Sequence, residues 1–254
     1  MKSVETTRRL CELRASLRQA ASVSDAQFLQ RFFKTGPDEY AAGDRFIGVR
    51  VPALRKLAKK FRGLPFAEIT KLLQSPVHEE RLLALLILVD AYARADFAGR
   101  TKIHALYLKH LACVNNWDLV DSSAPYILGP HLAERSRKIL FRLAKSTNLW
   151  RRRVAMLATF HFIRQNDFAD ALRLAELLRD DEHDLMHKAV GWMLREIGKR
   201  DAAALRKFLG KNAAKMPRTM LRYAIEKFPV RERQRWLQAG KLSTKTAASR
   251  SKPA

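Results

Sequence analysis

A chain of 254 residues can bury a substantial core, either as one domain or as a run of similar modules merged into a solenoid, and nothing in it forces a second domain. Its 49 Lys plus Arg against 25 Asp plus Glu give a formal net charge of +24, with the excess along the whole length. That balance favours a polyanion, DNA or RNA first and acidic membranes or proteins second, with a merely basic soluble protein as the bland alternative. Two cysteines, Cys11 and Cys113, argue against a disulfide framework and fit a reducing cytoplasm. The first residues, Met1 to Thr6, lack an apolar core, and no long uncharged run follows, so neither secretion nor membrane insertion is expected.

Taken in order, residues 1 to about 22 read as a helix that packs against a first repeat. The run Phe46-Ile47-Gly48-Val49-Arg50-Val51 alternates like a strand but stops at Pro52. One strand makes no sheet, so it reads as a loop entering a helix with Pro52 in its first turn. Apolar residues recur at three and four residue intervals in Val51 to Arg62, Arg81 to Ala95, Val154 to Ile163 and Ala171 to Leu178, which predicts helices almost throughout. Pro65, Pro76, Pro217 and Pro229 mark boundaries, as do Ser146-Thr147-Asn148 and Gln165-Asn166-Asp167.

Between the breaks the helices fall into pairs. Anchors at Arg81, Asp121, Arg153, Lys188 and Met220, each placed early in the second helix of a pair, are 40, 32, 35 and 32 residues apart. That period belongs to HEAT or armadillo hairpins, so the expected fold is all-α, an α-solenoid of HEAT-like helical hairpins with a concave basic groove. A globular bundle with uneven loops is the alternative. The solenoid would occupy residues 1–241, and 242–254, which lose apolar periodicity, would form a disordered basic tail.

In Asn115-Asn116-Trp117-Asp118-Leu119-Val120-Asp121, Trp117 and Asp121 stand four residues apart, hence one turn apart on one helix face, with Asn115 or Asn116 as N-cap. Slots in neighbouring repeats carry Arg81, Arg153, Lys188 and Trp192, which stacking would bring together across the groove. In Arg151-Arg152-Arg153 stack position selects Arg153 and leaves Arg151 and Arg152 to the rim or to backbone phosphates. Each has a plainer reading: Trp117 and Trp192 as core tryptophans, Asp121 as a salt-bridge partner of Arg153. Core packing or an edge contact suits Trp150 and Trp236. His183-Asp184-Leu185-Met186-His187 resembles half of a zinc-protease helix but lacks a third ligand; it reads better as the start of the helix carrying Trp192. His78-Glu79-Glu80 reads as an acidic helix start. No glycine-rich phosphate loop or nucleophile elbow is present.

Several of these segments together resemble the AlkD-like DNA alkylation repair family. They are Phe33-Lys34-Thr35-Gly36-Pro37, Tyr40, Gly43-Asp44, Phe46 to Pro52 with Arg55, Trp117 to Asp121, Trp150 to Arg153, and Ala189-Val190-Gly191-Trp192 with Arg195-Glu196. The resemblance runs from about Phe28 to Trp236 and rests on the combination and order of the segments. It implies a DNA glycosylase excising positively charged N-alkylated purines, chiefly 7-methylguanine and 3-methyladenine, from duplex DNA. It further implies Asp121 as the catalytic carboxylate, Trp117 and Trp192 as flanking indoles, and Arg153 as a DNA contact. The resemblance also implies attack without burial of the damaged nucleotide in a base pocket, unlike the general pattern. Arg50, which stands where some relatives have an uncharged amide, and Tyr40 carry over as DNA contacts; Lys188 and Arg152 join them from their slots.

The chemistry agrees with those roles. A purine that is already a cation leaves without a general acid, so what the reaction lacks is stabilisation of the developing sugar cation, which one carboxylate near C1′ supplies. The expected enzyme is monofunctional and monomeric, uses no metal or organic cofactor, and works at the nucleoid in the cytoplasm. Two rivals remain: a noncatalytic DNA-structure binder on the same scaffold, and a HEAT-type protein-interaction scaffold gripping an acidic partner.

Overall fold

The computed structural model describes residues 2–238, with side chains from Arg8 onward. The expected tail, 242–254, lies outside the described residues. The chain divides into two compact units, 1–131 and 132–254. Both are helical, and both are made of helices paired and stacked on their neighbours.

The first unit contains α1 (Lys2–Gln19), α2 (Val23–Gln30), α3 (Val51–Lys60), α4 (Phe66–Leu73), α5 (His78–Arg94), α6 (Phe97–Lys109), a 3-10 turn (Leu111–Cys113), α7 (Trp117–Asp121) and α8 (Leu128–His131). Its centre is α5, on which α3, α4, α6 and α7 pack. Residues 78–88 of α5 are buried on every side, and a helix with no solvated face must pair its polar groups internally. Helix α1 closes the end, burying Leu10, Leu13 and Leu17 against α3 and α4. Removing each such leucine from water is worth roughly 1.5–3 kcal/mol.

The strand-like run is a loop, and Pro52 does sit in the first turn of α3, with Arg50 at the N-cap. With no second strand available, its amides go to a side chain. Glu79 accepts from the backbone N–H groups of Ile47 at 3.1 Å, Gly48 at 2.8 Å and Val49 at 3.3 Å. One isolated parallel bridge, Arg45 to Val77, ties the loop's near end to the start of α5. Gly48 has φ +81, and a Cβ there would lie 1.9 Å from the Ser22 carbonyl oxygen, so the close approach to α2 needs glycine.

The second unit contains α9 (Lys138–Ala144), α10 (Leu149–Ala158), α11 (Phe160–Ile163), α12 (Ala169–Leu177), α13 (Asp184–Arg200), α14 (Ala202–Asn212) and α15 (Arg218–Ala224), followed by a helical run over 230–238. Helix α9 pairs with α10 and α12 with α13, while α10, α14 and α15 all pack on α13. The continuous helix expected from Val154 to Ile163 is interrupted at Thr159, whose hydroxyl donates to the Met156 carbonyl at 2.6 Å, a local bond that competes with the helix ladder.

Arg81, Arg153, Lys188 and Met220 fall in the first two turns of α5, α10, α13 and α15; α5, α10 and α13 each pack on the helix before them, whereas α15 packs on α13. Asp121 departs from that pattern. It is the last residue of α7, because the Ser123 hydroxyl donates to the Leu119 carbonyl at 2.6 Å and the chain turns off there. The charge excess is also less even than expected: the first unit has 20 Lys plus Arg against 13 Asp plus Glu, the second 29 against 12.

Candidate active site

In the first unit, Trp117 and Asp121 stand at the two ends of α7, one turn apart and both half-buried. The cap is Asn116, one of the two asparagines expected: its Oδ1 accepts from the Trp117 N–H at 2.8 Å while its Nδ2 donates to Asp44 Oδ2 at 2.8 Å. The indole of Trp117 stacks on Phe33, with ring centroids 5.1 Å apart and planes 16° from parallel. Phe33 in turn touches Phe46 and His78, at 4.7 and 5.0 Å between centroids.

Sequence reasoning missed the group beneath this stack. His78, at the first residue of α5, is 2% exposed, and both ring nitrogens meet carboxylates: Nδ1 with Asp44 Oδ2 at 3.0 Å, Nε2 with Asp118 Oδ2 at 2.7 Å. Burial works against its charge, but the hydrogen bonds and charges of Asp118 and Asp44 outweigh that and raise the imidazole to about 9. Asp44 also pairs with the buried Arg81. Burial alone would raise the Asp44 carboxyl; His78, Arg81 and Asn116 hold it below the usual range instead. Two carboxylates and two cations thus form a neutral cluster under α7. The available signal was α5 itself, whose apolar text on all sides requires the polar residues at its start to find buried partners.

Arg153, Lys188 and Trp192 belong to the second unit. Arg153 is 5% exposed, and its Nη1 donates to the Leu185 carbonyl at 2.7 Å, joining α10 to the start of α13. Trp192 is half-buried beside Phe160, centroids 5.9 Å apart, with its Nε1–H donating to Glu196 Oε1 at 3.1 Å. Lys188 pairs with Asp184 at 2.6 Å. Arg152 engages all three nitrogens within the protein: Nε with Asp181 Oδ2 at 2.6 Å, Nη2 with Asp181 Oδ1 at 3.3 Å, and Nη1 with the carbonyls of Ser146 and Thr147 at 3.0 and 2.8 Å.

Arg50 and Tyr40 lie in the first unit on the loop before α3. Arg50 is exposed and pairs with Asp25 at 2.7 and 2.9 Å, with its guanidinium 5.6 Å from the Phe28 ring centroid. The Tyr40 hydroxyl donates to the Phe32 carbonyl at 3.4 Å. Trp150 is a core residue, as its plainer reading held, and Trp236 is half-buried with its Nε1–H directed at Glu232.

The histidines of the zinc-like segment are occupied locally. His183 caps α13, its Nδ1 accepting from the Leu185 N–H at 3.1 Å, and His187 Nε2 donates to the Asp181 carbonyl. Among the described residues, no group of three or more His, Cys, Asp or Glu is placed to hold a metal ion, and no helix is long and apolar enough to cross a membrane.

A family model described as DNA alkylation repair enzyme matches residues 13–228. Among solved structures, the chain is similar to a protein from Enterococcus faecalis described as a predicted DNA alkylation repair enzyme. The TM-score is 0.63 at 16% identity, covering 83% of this chain and 97% of that one. It is also similar to AlkD2 from Streptococcus mutans, with a TM-score of 0.51 at 18% identity over 87% and 99% of the two chains. At these identities the structural likeness shows the all-helical fold alone. No curated protein matches.

Proposed function

The chain belongs to the DNA alkylation repair enzyme family, and from that premise we propose that it is a monofunctional DNA glycosylase releasing positively charged N-alkylated purines, 7-methylguanine and 3-methyladenine, from duplex DNA. What supports this most is the placement of Trp117 and Asp121 at the ends of one short, internally braced helix. A carboxylate and an indole face one turn apart suit a reaction whose only demand is a sheltered negative charge near a developing sugar cation.

Alkylation at N7 or N3 puts a positive charge on the purine. The C1′–N9 bond then breaks with its electron pair going to the base, which departs neutral. Positive charge appears on the sugar, where Asp121 stabilises it and orients the water that adds to C1′. The proton is released and an abasic site remains. Trp117 excludes water and offers its π-face to the cationic nucleotide. In the second unit, Trp192 supplies a further indole surface for DNA and Arg153 a guanidinium for phosphate, with Lys188, Arg152, Arg50 and Tyr40 as backbone contacts. The exposed Arg50–Asp25 pair exchanges readily for a phosphate. Arg152 and the buried Arg153 would first have to give up their protein partners.

The test is release of 7-methylguanine from N-methylated duplex DNA by the natural protein and by Asp121→Asn. The variant is expected to bind DNA as before and to lose about 10²–10³-fold in release rate, the loss typical of removing one preorganised electrostatic contact. Equal release from both proteins, or none from either, overturns the catalytic role of Asp121. Neutral lesions should not be excised by either.

A further inference from the structure

The imidazole of His78 lies between two carboxylates that come from different segments, Asp44 on the loop before α3 and Asp118 on α7. A neutral imidazole has one N–H, and an ionised carboxylate only accepts, so both bonds form together only when the ring is a cation. The other charged groups around it are already committed. Arg81, on α5, faces Asp44 from the far side and donates to the Ser75 carbonyl at 2.8 Å, while Glu79 is turned to the amides of Ile47, Gly48 and Val49. The faces of the ring contact Phe46, at 4.6 Å and 24° between planes, and Phe33, the residue on which Trp117 stacks. His78 thus reaches Trp117 by two routes: through Asp118, its neighbour in sequence, and through Phe33, its neighbour in space.

We propose that His78 is a positioning residue for the repair reaction: as a cation bridging Asp44 and Asp118 it fixes α7, and with it the direction of the Trp117 indole and the Asp121 carboxylate. The proposal deepens the reading of Trp117 and Asp121 as site residues and rests on it. His78 itself touches neither base nor sugar. Loss of its proton leaves one N–H for two carboxylates, so lone pair faces lone pair on one side, and α7 loses either its tie to α5 or the support of the loop before α3. Since the ring holds its proton up to about 9, the brace is closed at neutral pH and opens on the alkaline side.

The experiment follows the indole N–H resonances of the full-length protein by ¹H–¹⁵N NMR, with Trp117 assigned through Trp117→Phe, alongside the His78 ring resonances, from about pH 6 to pH 10. The Trp117 indole is expected to shift with a midpoint near 9, the same as the His78 ring, while the Trp150 and Trp236 indoles stay in place. In His78→Asn at neutral pH the Trp117 indole should already occupy its high-pH position. In Asp118→Asn the midpoint should fall by at least about one pH unit, as removal of an adjacent opposite charge does. On N-methylated duplex DNA, His78→Asn should lower kcat about tenfold or more with KM changed less than about twofold, the pattern of misplaced rather than missing binding groups. A Trp117 indole unmoved by both the titration and the variants, in proteins whose circular dichroism is native, overturns the proposal. Should His78→Asn fail to fold, Asp118→Asn decides by the same shift. If the natural protein releases no base, the glycosylase reading falls, and the coupled titration still answers whether His78 holds Trp117.

Discussion

The imidazolium of His78 ties the stability of the first unit to pH. Below about 6.5 the ring is protonated in both folded and unfolded chain, and its two carboxylate bonds contribute in full. As pH rises from there the unfolded chain gives up the proton while the native state keeps it to about 9, so stability declines across that interval and the contribution is gone above it. The difference corresponds to about 3 kcal/mol. Asp44 sets the opposite limit: its carboxyl is held low in the native state, so its share is present above the ordinary carboxylate range and is lost as pH falls through it. The gap in urea-unfolding free energy between the natural protein and His78→Asn should therefore be largest near pH 6 and shrink by about 3 kcal/mol by pH 10. A gap constant with pH would show that the ring does not carry its charge into the folded state.

Among the helices, α13 and α15 approach closely at Gly191. A Cβ built there would lie 2.5 Å from both the Met220 carbonyl oxygen and Tyr223 Cβ, so one helix would have to move off the other. Replacing glycine by alanine inside a helix gains about 1 kcal/mol in propensity, whereas overpacking against backbone typically costs about 1–3 kcal/mol. Gly191→Ala is expected to be destabilising by thermal unfolding. Gly198→Ala, seven residues on in the same helix, should be neutral or stabilising, because a Cβ there meets the movable Leu205 side chain, nearest at Cδ2. Equal behaviour of the two variants would refute the packing argument. Gly191 belongs to the segment that carried the family resemblance, yet its packing role was invisible in sequence, since Met220 and Tyr223 lie some thirty residues away. What sequence did reveal was local: an asparagine cap at 115 or 116, Pro52 in a first turn, His183-Asp184 opening α13, and the one-turn spacing of Trp117 and Asp121, each decided by residues within one turn. The early end of α7 and the break at Thr159 come from hydroxyl-to-carbonyl bonds that apolar periodicity does not register. The His78 cluster joins residues 44, 78 and 118, and spacing along the chain cannot show three polar groups meeting inside a core.

For the molecule as a whole, the formal charge of +24 is what remains after many acidic side chains have already been taken up internally. Asp90 is shared by Arg62 and Arg94, and Glu232 is held by Arg206, so the acidic groups soften the positive field locally without cancelling it. The second unit, with 29 Lys plus Arg against 12 Asp plus Glu, contributes the larger share of the excess. Such a protein should hold undamaged duplex DNA through phosphate contacts that release condensed counterions, each adding about 0.9 to the slope of log affinity against log salt. Affinity measured by fluorescence anisotropy should then fall by about 10³-fold or more between 50 and 200 mM salt if six or more phosphates are engaged. Asp121→Asn should leave that slope nearly unchanged while lowering base release about 10²–10³-fold, because a carboxylate proposed to act at the sugar neutralises no phosphate. A protein that merely grips an acidic polypeptide would bind its partner in the presence of excess duplex. Affinity for DNA that is flat in salt, or that is abolished by Asp121→Asn, would separate the basic surface from the chemistry assigned to α7 and leave Asp121 as a structural residue.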